Sequence, residues 1–178
     1  MINHKGSILA AFDEIHKFVN KFDLDCINGC KGDCEDGAIL LLPYENEYLS
    51  QKVKSDKLIF PSITIDGFSC GFIAEDEPHC IALGDDHVTC KLYPFMPVDC
   101  LTYPVFPKFN IDEFGDTVLC MDLYLSKFCP LHKNVNQSYI HFAKKIWHMV
   151  LPFISKGWMQ FYNENIIGFF SKKDTKKV

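Results

Sequence analysis

CKLYPFMPVDCLTYPVFP, residues 90–107, divides the chain into two kinds of structure. Pro94, Pro97, Pro104 and Pro107 each lack an amide donor and fix φ, so neither a regular helix nor a central strand runs through this stretch. Regular elements belong on either side of it. Just upstream, Cys80–Leu83, the turn residues Gly84-Asp85-Asp86 and Val88–Tyr93 predict a hairpin. Further back, PSITIDGF (61–68) alternates and contains Asp66-Gly67, which predicts a strand and a turn. Glu45–Val53 predicts a short helix opened by Pro43 and acidic residues, and Ala38–Leu42 a short strand. Cys26 to Gly37 holds Gly29, Gly32 and Gly37 and predicts a loop. Ile8, Leu9, Phe12, Ile15, Phe18, Val19 and Phe22 recur at helical spacing, so residues 5–22 predict an amphipathic helix. Downstream, Thr117–Leu125 predicts a strand. From Gln137, a second helical stripe (Tyr139, Ile140, Ala143, Ile146, Trp147, Val150) is interrupted by Pro152 and Gly157, and it resumes over Trp158–Phe170.

These elements define an α+β fold: helices at both termini flank short strands and metal-bearing loops in a single domain, residues 1–178. Within it, residues 26–130 carry the cysteines and residues 137–172 form a C-terminal helical segment. There is no internal repeat, low-complexity run or linker. With 178 residues the chain has enough core to fold without crosslinks or metals.

Net charge is −5, and every fixed positive charge is a lysine, because the chain has no arginine. Bidentate phosphate clamps and arginine readout of guanine are therefore excluded, and a mildly acidic chain does not favour nucleic acid. The one basic cluster, Lys172, Lys173, Lys176 and Lys177, reads as a solvated tail. Asp13, Glu14 and Lys17 break the apolar run near the N-terminus, which does not read as a signal peptide. No stretch reaches the ~20 apolar residues of a membrane span. A cytoplasmic location is expected.

Nine cysteines is an odd number and a high density for a chain in a reducing compartment. Such cysteines are expected to bind metal rather than form disulfides. Cys26, Cys30 and Cys34 sit on the glycine-rich loop, where thiolates can converge on one ion. Three thiolates do not complete a tetrahedron. Cys80, Cys90 and Cys100, spaced ten apart, and Cys129 before Pro130 supply candidates for the remainder. Paired C-x2-C knuckles and the C-x2-C-x2-C ferredoxin run are both absent. Cys26-x3-Cys30-x3-Cys34 is one residue off a radical S-adenosylmethionine loop, but the chain lacks the length and βα alternation of that barrel.

CKLYPFMPVDCLTYP (90–104) resembles the C-x-I-Y-x-x-R-P-x-x-C-R-x-F-P segment of the YkgJ-type cysteine-cluster family, the CxxCxxCC zinc- or iron-chelating proteins. Cys90, Tyr93, Pro97, Cys100 and Pro104 fall in register. CIAL (80–83) is similar to the C-x-x-L ahead of that segment. The loop Cys26–Cys34 followed by ILLLPYENEYL is similar to the family's opening cluster, strand and Glu-containing helix, and Cys129-Pro130 to a later Cys-Pro. The resemblance spans roughly residues 26–130. It implies chelation of zinc or an iron–sulfur cluster by Cys26, Cys30, Cys34, Cys80, Cys90, Cys100 and Cys129. The chain departs from the family in one longer opening spacing, in Asp33 where a cysteine of the CC pair falls, and in Met96 and Leu101 where the family has arginines. Aspartate can ligate zinc or iron through oxygen but is a poor ligand for an iron–sulfur cluster, so Asp33 fits the first two better than the third.

Cys70 and Cys120, amid apolar neighbours, read as small buried hydrophobes. His79, beside Cys80, is a candidate ligand or supporting group, though it and His87 read first as solvated turn residues. His132 is a weaker candidate for the same role. His141 and His148 belong to the C-terminal helical pattern. The aromatic stretch 146–170 reads as a core-packing helix rather than an interfacial membrane helix. No G-x-S-x-G, H-E-x-x-H or P-loop occurs. An alternative function is a redox or transfer enzyme with an open cysteine-ligated metal site. A third is an interaction module whose protein partner docks on the aromatic C-terminal segment.

Overall fold

The computed structural model describes residues 4–19, 39–53, 61–73, 90–111, 120–126, 129–168 and 175–178. Helix α1 (His4–Val19) follows the expected stripe, with Ile8, Phe12 and Ile15 fully buried. Strand β1 (Ile39–Leu40) leads through a tight turn into α2 (Glu45–Val53). Strands β2 (Ser62–Ile65) and β3 (Phe68–Ile73) form a hairpin, and β1 adds to β3, giving an antiparallel sheet in the order β1-β3-β2. The hairpin turn is Asp66-Gly67, with φ of 49° and 81°. Two left-handed residues are what a two-residue turn matching the strand twist requires, and aspartate and glycine tolerate that region.

The proline-rich stretch holds a five-residue helix, α3 (Val98–Thr102), followed by strand β4 (Val105–Asn110). The Tyr93–Pro94 and Tyr103–Pro104 peptide bonds are cis. β4 pairs with β5 (Cys120–Ser126), and β5 pairs with β6 (Thr175–Lys177), in a second antiparallel sheet. A strand therefore does pass through Pro107, but as the edge of the sheet order β4-β5-β6, where a missing amide is tolerated. At Phe109 the outer edge of β4 is covered by Asn163. Its Oδ1 accepts from Phe109 N at 3.0 Å, and its Nδ2 donates to Phe109 O at 2.6 Å. That pairing blocks strand addition at this point.

The sequence pattern predicts strand over Val88–Tyr93, but residues 90–93 form a turn. Tyr93 N donates to Cys90 O at 3.1 Å and Phe95 N to Leu92 O at 2.6 Å. Pro94 favours folding back over extension, because it cannot donate to a ladder. The arm Cys80–Leu83, the turn 84–86, the loop Cys26–Gly37 and residues 20–22 lie outside the described residues.

α4 (Gln137–Val150) opens on the Asn136 cap, whose side chain accepts from Tyr139 N at 3.0 Å. Pro152 ends it in a 3-10 turn, Leu151–Phe153, as its missing amide dictates. α5 (Lys156–Tyr162) restarts two residues before the predicted Trp158, because Ser155 caps it by accepting from Trp158 N at 3.1 Å. The helix then widens into a π turn, Asn163–Ile167. Gly157 lies inside the first turn of α5 rather than breaking it. Its N–H donates to Asp66 Oδ2 at 2.9 Å, and a Cβ there would overlap the Asp66 carboxylate.

The fold is α+β, with helices at both ends and two small antiparallel sheets between them. Its core is aromatic. Phe109 sits edge-on to Trp147, Trp158 and Tyr162 at ring separations of 6.0, 6.0 and 5.7 Å. Among the described residues no helix is long and apolar enough to cross a membrane.

Candidate functional site

The segment from Cys90 to Tyr103 concentrates the buried polar chemistry of the described residues. An isolated five-residue helix is unstable in water, so tertiary bonds must fix α3. Glu45 is fully buried, and both of its carboxylate oxygens accept backbone amides: Oε2 from Leu42 N at 2.8 Å and Oε1 from Val98 N at 2.7 Å. The first bond closes the turn into α2 as a capping box does; the second holds the start of α3. Tyr162 Oη donates to Asp99 Oδ1 at 2.5 Å. Trp147 Nε1 donates to Thr102 Oγ1 at 3.0 Å, and Thr102 Oγ1 donates back to Val98 O at 3.2 Å. Tyr139 Oη lies 3.1 Å from both Leu101 O and Tyr103 O. Three elements thus clamp one short helix, and Cys100 lies on it.

Burial dominates the acidity of the two carboxyls. It pushes Glu45 up to about 8 against the opposing pull of the Val98 and Leu42 amides, and the nearby Asp99 charge adds to the rise. It pushes Asp99 up to about 7 against the Tyr162 hydroxyl and the Leu40 amide. Tyr162 is raised well above the ordinary phenol value by burial first and the Asp99 carboxylate second, and it also senses the Cys100 sulfur. The first-order cause in each case is the loss of water around a charged form.

Cys90 and Cys100 are half-buried thiols at the two ends of the clamped segment. Burial raises the Cys90 thiol, and hydrogen bonds from the Leu92 and Tyr93 amides oppose that rise by favouring thiolate. Cys129 is buried at the entry to the 3-10 turn Pro130–Asn134, where its carbonyl accepts from His132 N at 3.0 Å and lies 2.7 Å from His132 Nδ1. The His132 ring is thus engaged with backbone. Cys70, opposite Ile63 in the first sheet, is fully buried in the core, and burial pushes its thiol up to about 12. That placement matches the small-hydrophobe reading. Cys120 pairs with Asn110 in the second sheet. Cys26, Cys30, Asp33, Cys34, His79, Cys80 and His87 lie outside the described residues.

Cys90, Cys100 and Cys129 do not by themselves make a site: among the described residues no group of three or more His, Cys, Asp or Glu side chains stands in a metal-holding arrangement. Sequence reasoning missed Glu45, Asp99, Tyr162 and His16. Position is the signal for His16, which falls four residues after Phe12 on the buried face of α1. The aromatic C-terminal segment buries Trp147, Trp158 and Tyr162, as the core-packing reading expects.

Comparison with known proteins finds no matching family model, no matching curated protein and no matching solved structure.

Proposed function

We propose that this chain is a cytoplasmic metal-binding protein that chelates zinc or an iron–sulfur centre through a cysteine cluster. Its ligands come from Cys26, Cys30, Cys34, Cys80, Cys90, Cys100 and Cys129. The resemblance of residues 90–104 to the YkgJ-type segment motivates the reading. The observation that carries it is the setting of the Cys90 sulfur: burial is the larger influence and keeps the thiol protonated, while the Leu92 and Tyr93 amides are aimed at the sulfur and stand ready to stabilise the thiolate that forms when metal displaces the proton. Amide bonds to sulfur also tune bound metal in thiolate sites. Cys100, on the helix held by Glu45, Trp147 and Tyr162, and Cys129 are the further donors the described residues offer. The metal would act as a chelated ion held by deprotonated thiols, so affinity falls as pH falls.

Elemental analysis and an absorption spectrum of anaerobically purified protein test this. Zinc or iron at stoichiometric level is expected, lost in a Cys90→Ser, Cys100→Ser double variant. Visible charge-transfer absorbance selects iron–sulfur over zinc. Protein free of both metals, and unable to take up either, sinks the proposal.

A further inference from the structure

His16 lies on the inner face of α1 and is only 8% exposed. Its ring stacks on Tyr48 at 5.5 Å and meets Phe95 edge-on at 5.4 Å. Nδ1 is buried and has no hydrogen-bond partner. The ring does bond the Pro94 carbonyl, which assigns that bond to Nε2–H. Burial holds the imidazole neutral, and the nearest charges, Asp13 and Lys52, bond each other at 2.7 Å.

A buried nitrogen lone pair with no donor keeps its full desolvation penalty, and folded proteins seldom leave one without a reason. Metal-bound histidines have this arrangement: neutral, with one ring N–H donated to a carbonyl and the other nitrogen bare for the ion. The carbonyl concerned is Pro94, in the turn that the Tyr93 N to Cys90 O and Phe95 N to Leu92 O bonds fold next to Cys90. The aromatic faces of Tyr48 and Phe95 leave the ring little room to rotate away.

We propose that His16 Nδ1 is a nitrogen ligand of the same metal centre as Cys90, making it a mixed sulfur–nitrogen site. This rests on the chelation proposed above and narrows it. Thiolate with imidazole is a zinc donor set, whereas cubane clusters are held by four thiolates.

The test uses the full chain, stripped of metal under reducing conditions and titrated with zinc. Long-range 1H–15N spectra of the imidazoles in the wild type are expected to show the His16 Nδ1 resonance moving on zinc addition. With cobalt as probe, His16→Asn is expected to shift the ligand-field bands and weaken zinc binding by about 10-fold or more, as loss of even a supporting partner does. Cys90→Ser is the reference for loss of a sulfur donor. If zinc binds and Cys90→Ser weakens it while His16 Nδ1 does not move, this inference is overturned and the cysteine reading stands. If the wild type takes up no metal, both fall. The wild-type spectrum decides even if His16→Asn does not fold.

Discussion

Glu45 has both oxygens committed to backbone amides and almost no water around it. Its folded-state acidity, moved from 4.5 to about 8, means the folded chain holds a proton that the unfolded chain releases between those values. Its contribution to stability is therefore full below about pH 4.5 and is lost as pH rises towards 8. His16 acts in the opposite sense, because its imidazole is moved down from 6.5 to about 4 and the unfolded chain takes up the proton in that window. Asp99, moved from 3.8 to about 7, acts in the same sense as Glu45. Denaturant midpoints of metal-free wild type should thus decline from about pH 6.5, where the His16 contribution is complete, to 8, and Glu45→Gln should flatten the part of that decline above about pH 7 while leaving the Asp99 part below it. An unchanged slope in the variant would refute the assignment. At this scale the sequence is legible only where a residue's neighbours in the chain decide its role. Glu45 reads as an acid opening a helix, which it is. Its burial depends on Val98, 53 residues away, and no local pattern encodes that.

α3 shows the same division among elements. The four prolines rule out a central strand over residues 90–107, but a five-residue α-helix, α3, still forms between Pro97 and Pro104; the caps and breaks of α4 follow from Asn136 and Pro152. Strand β4 is not legible, because an edge position is a property of the sheet and not of the segment. The cysteine spacing marks Cys90 and Cys100 as candidates but does not reveal the clamp around them. Thr102 is part of that clamp, as the acceptor for the Trp147 indole. Thr102→Val keeps the shape and strands a buried N–H, so it should cost about 1–3 kcal/mol. Each kilocalorie corresponds to a fall of roughly 2–4 °C in thermal midpoint for a chain of this size. Thr102→Ser, which retains the hydroxyl, should recover the larger part. Equal losses in the two variants would point to packing rather than the hydrogen bond.

Across the whole molecule, the first sheet and the C-terminal helices meet at Asp66 and Gly157, 91 residues apart. The tip of a hairpin there reaches the first turn of α5, and a Cβ at position 157 would push the Asp66 carboxylate aside. Gly157→Ala should destabilise by no more than about 1 kcal/mol, by displacing the Asp66 carboxylate and its hydrogen bond. The same change in an Asp66→Gly background should cost much less, since the colliding carboxylate is gone and glycine suits the left-handed turn. Additive costs in a double-mutant cycle would rule out this contact as the cause.

Trp147 and Trp158 are the chain's two tryptophans, both fully buried, with ring centroids 6.4 Å apart. One indole N–H is bound to Thr102 on α3, and the other to the carbonyl of Leu41 beside β1. The protein's tryptophan emission therefore comes from a single place: the joint between the clamped helix and the turn that leads to Glu45. Its native fluorescence is a local gauge of that joint and needs no introduced label.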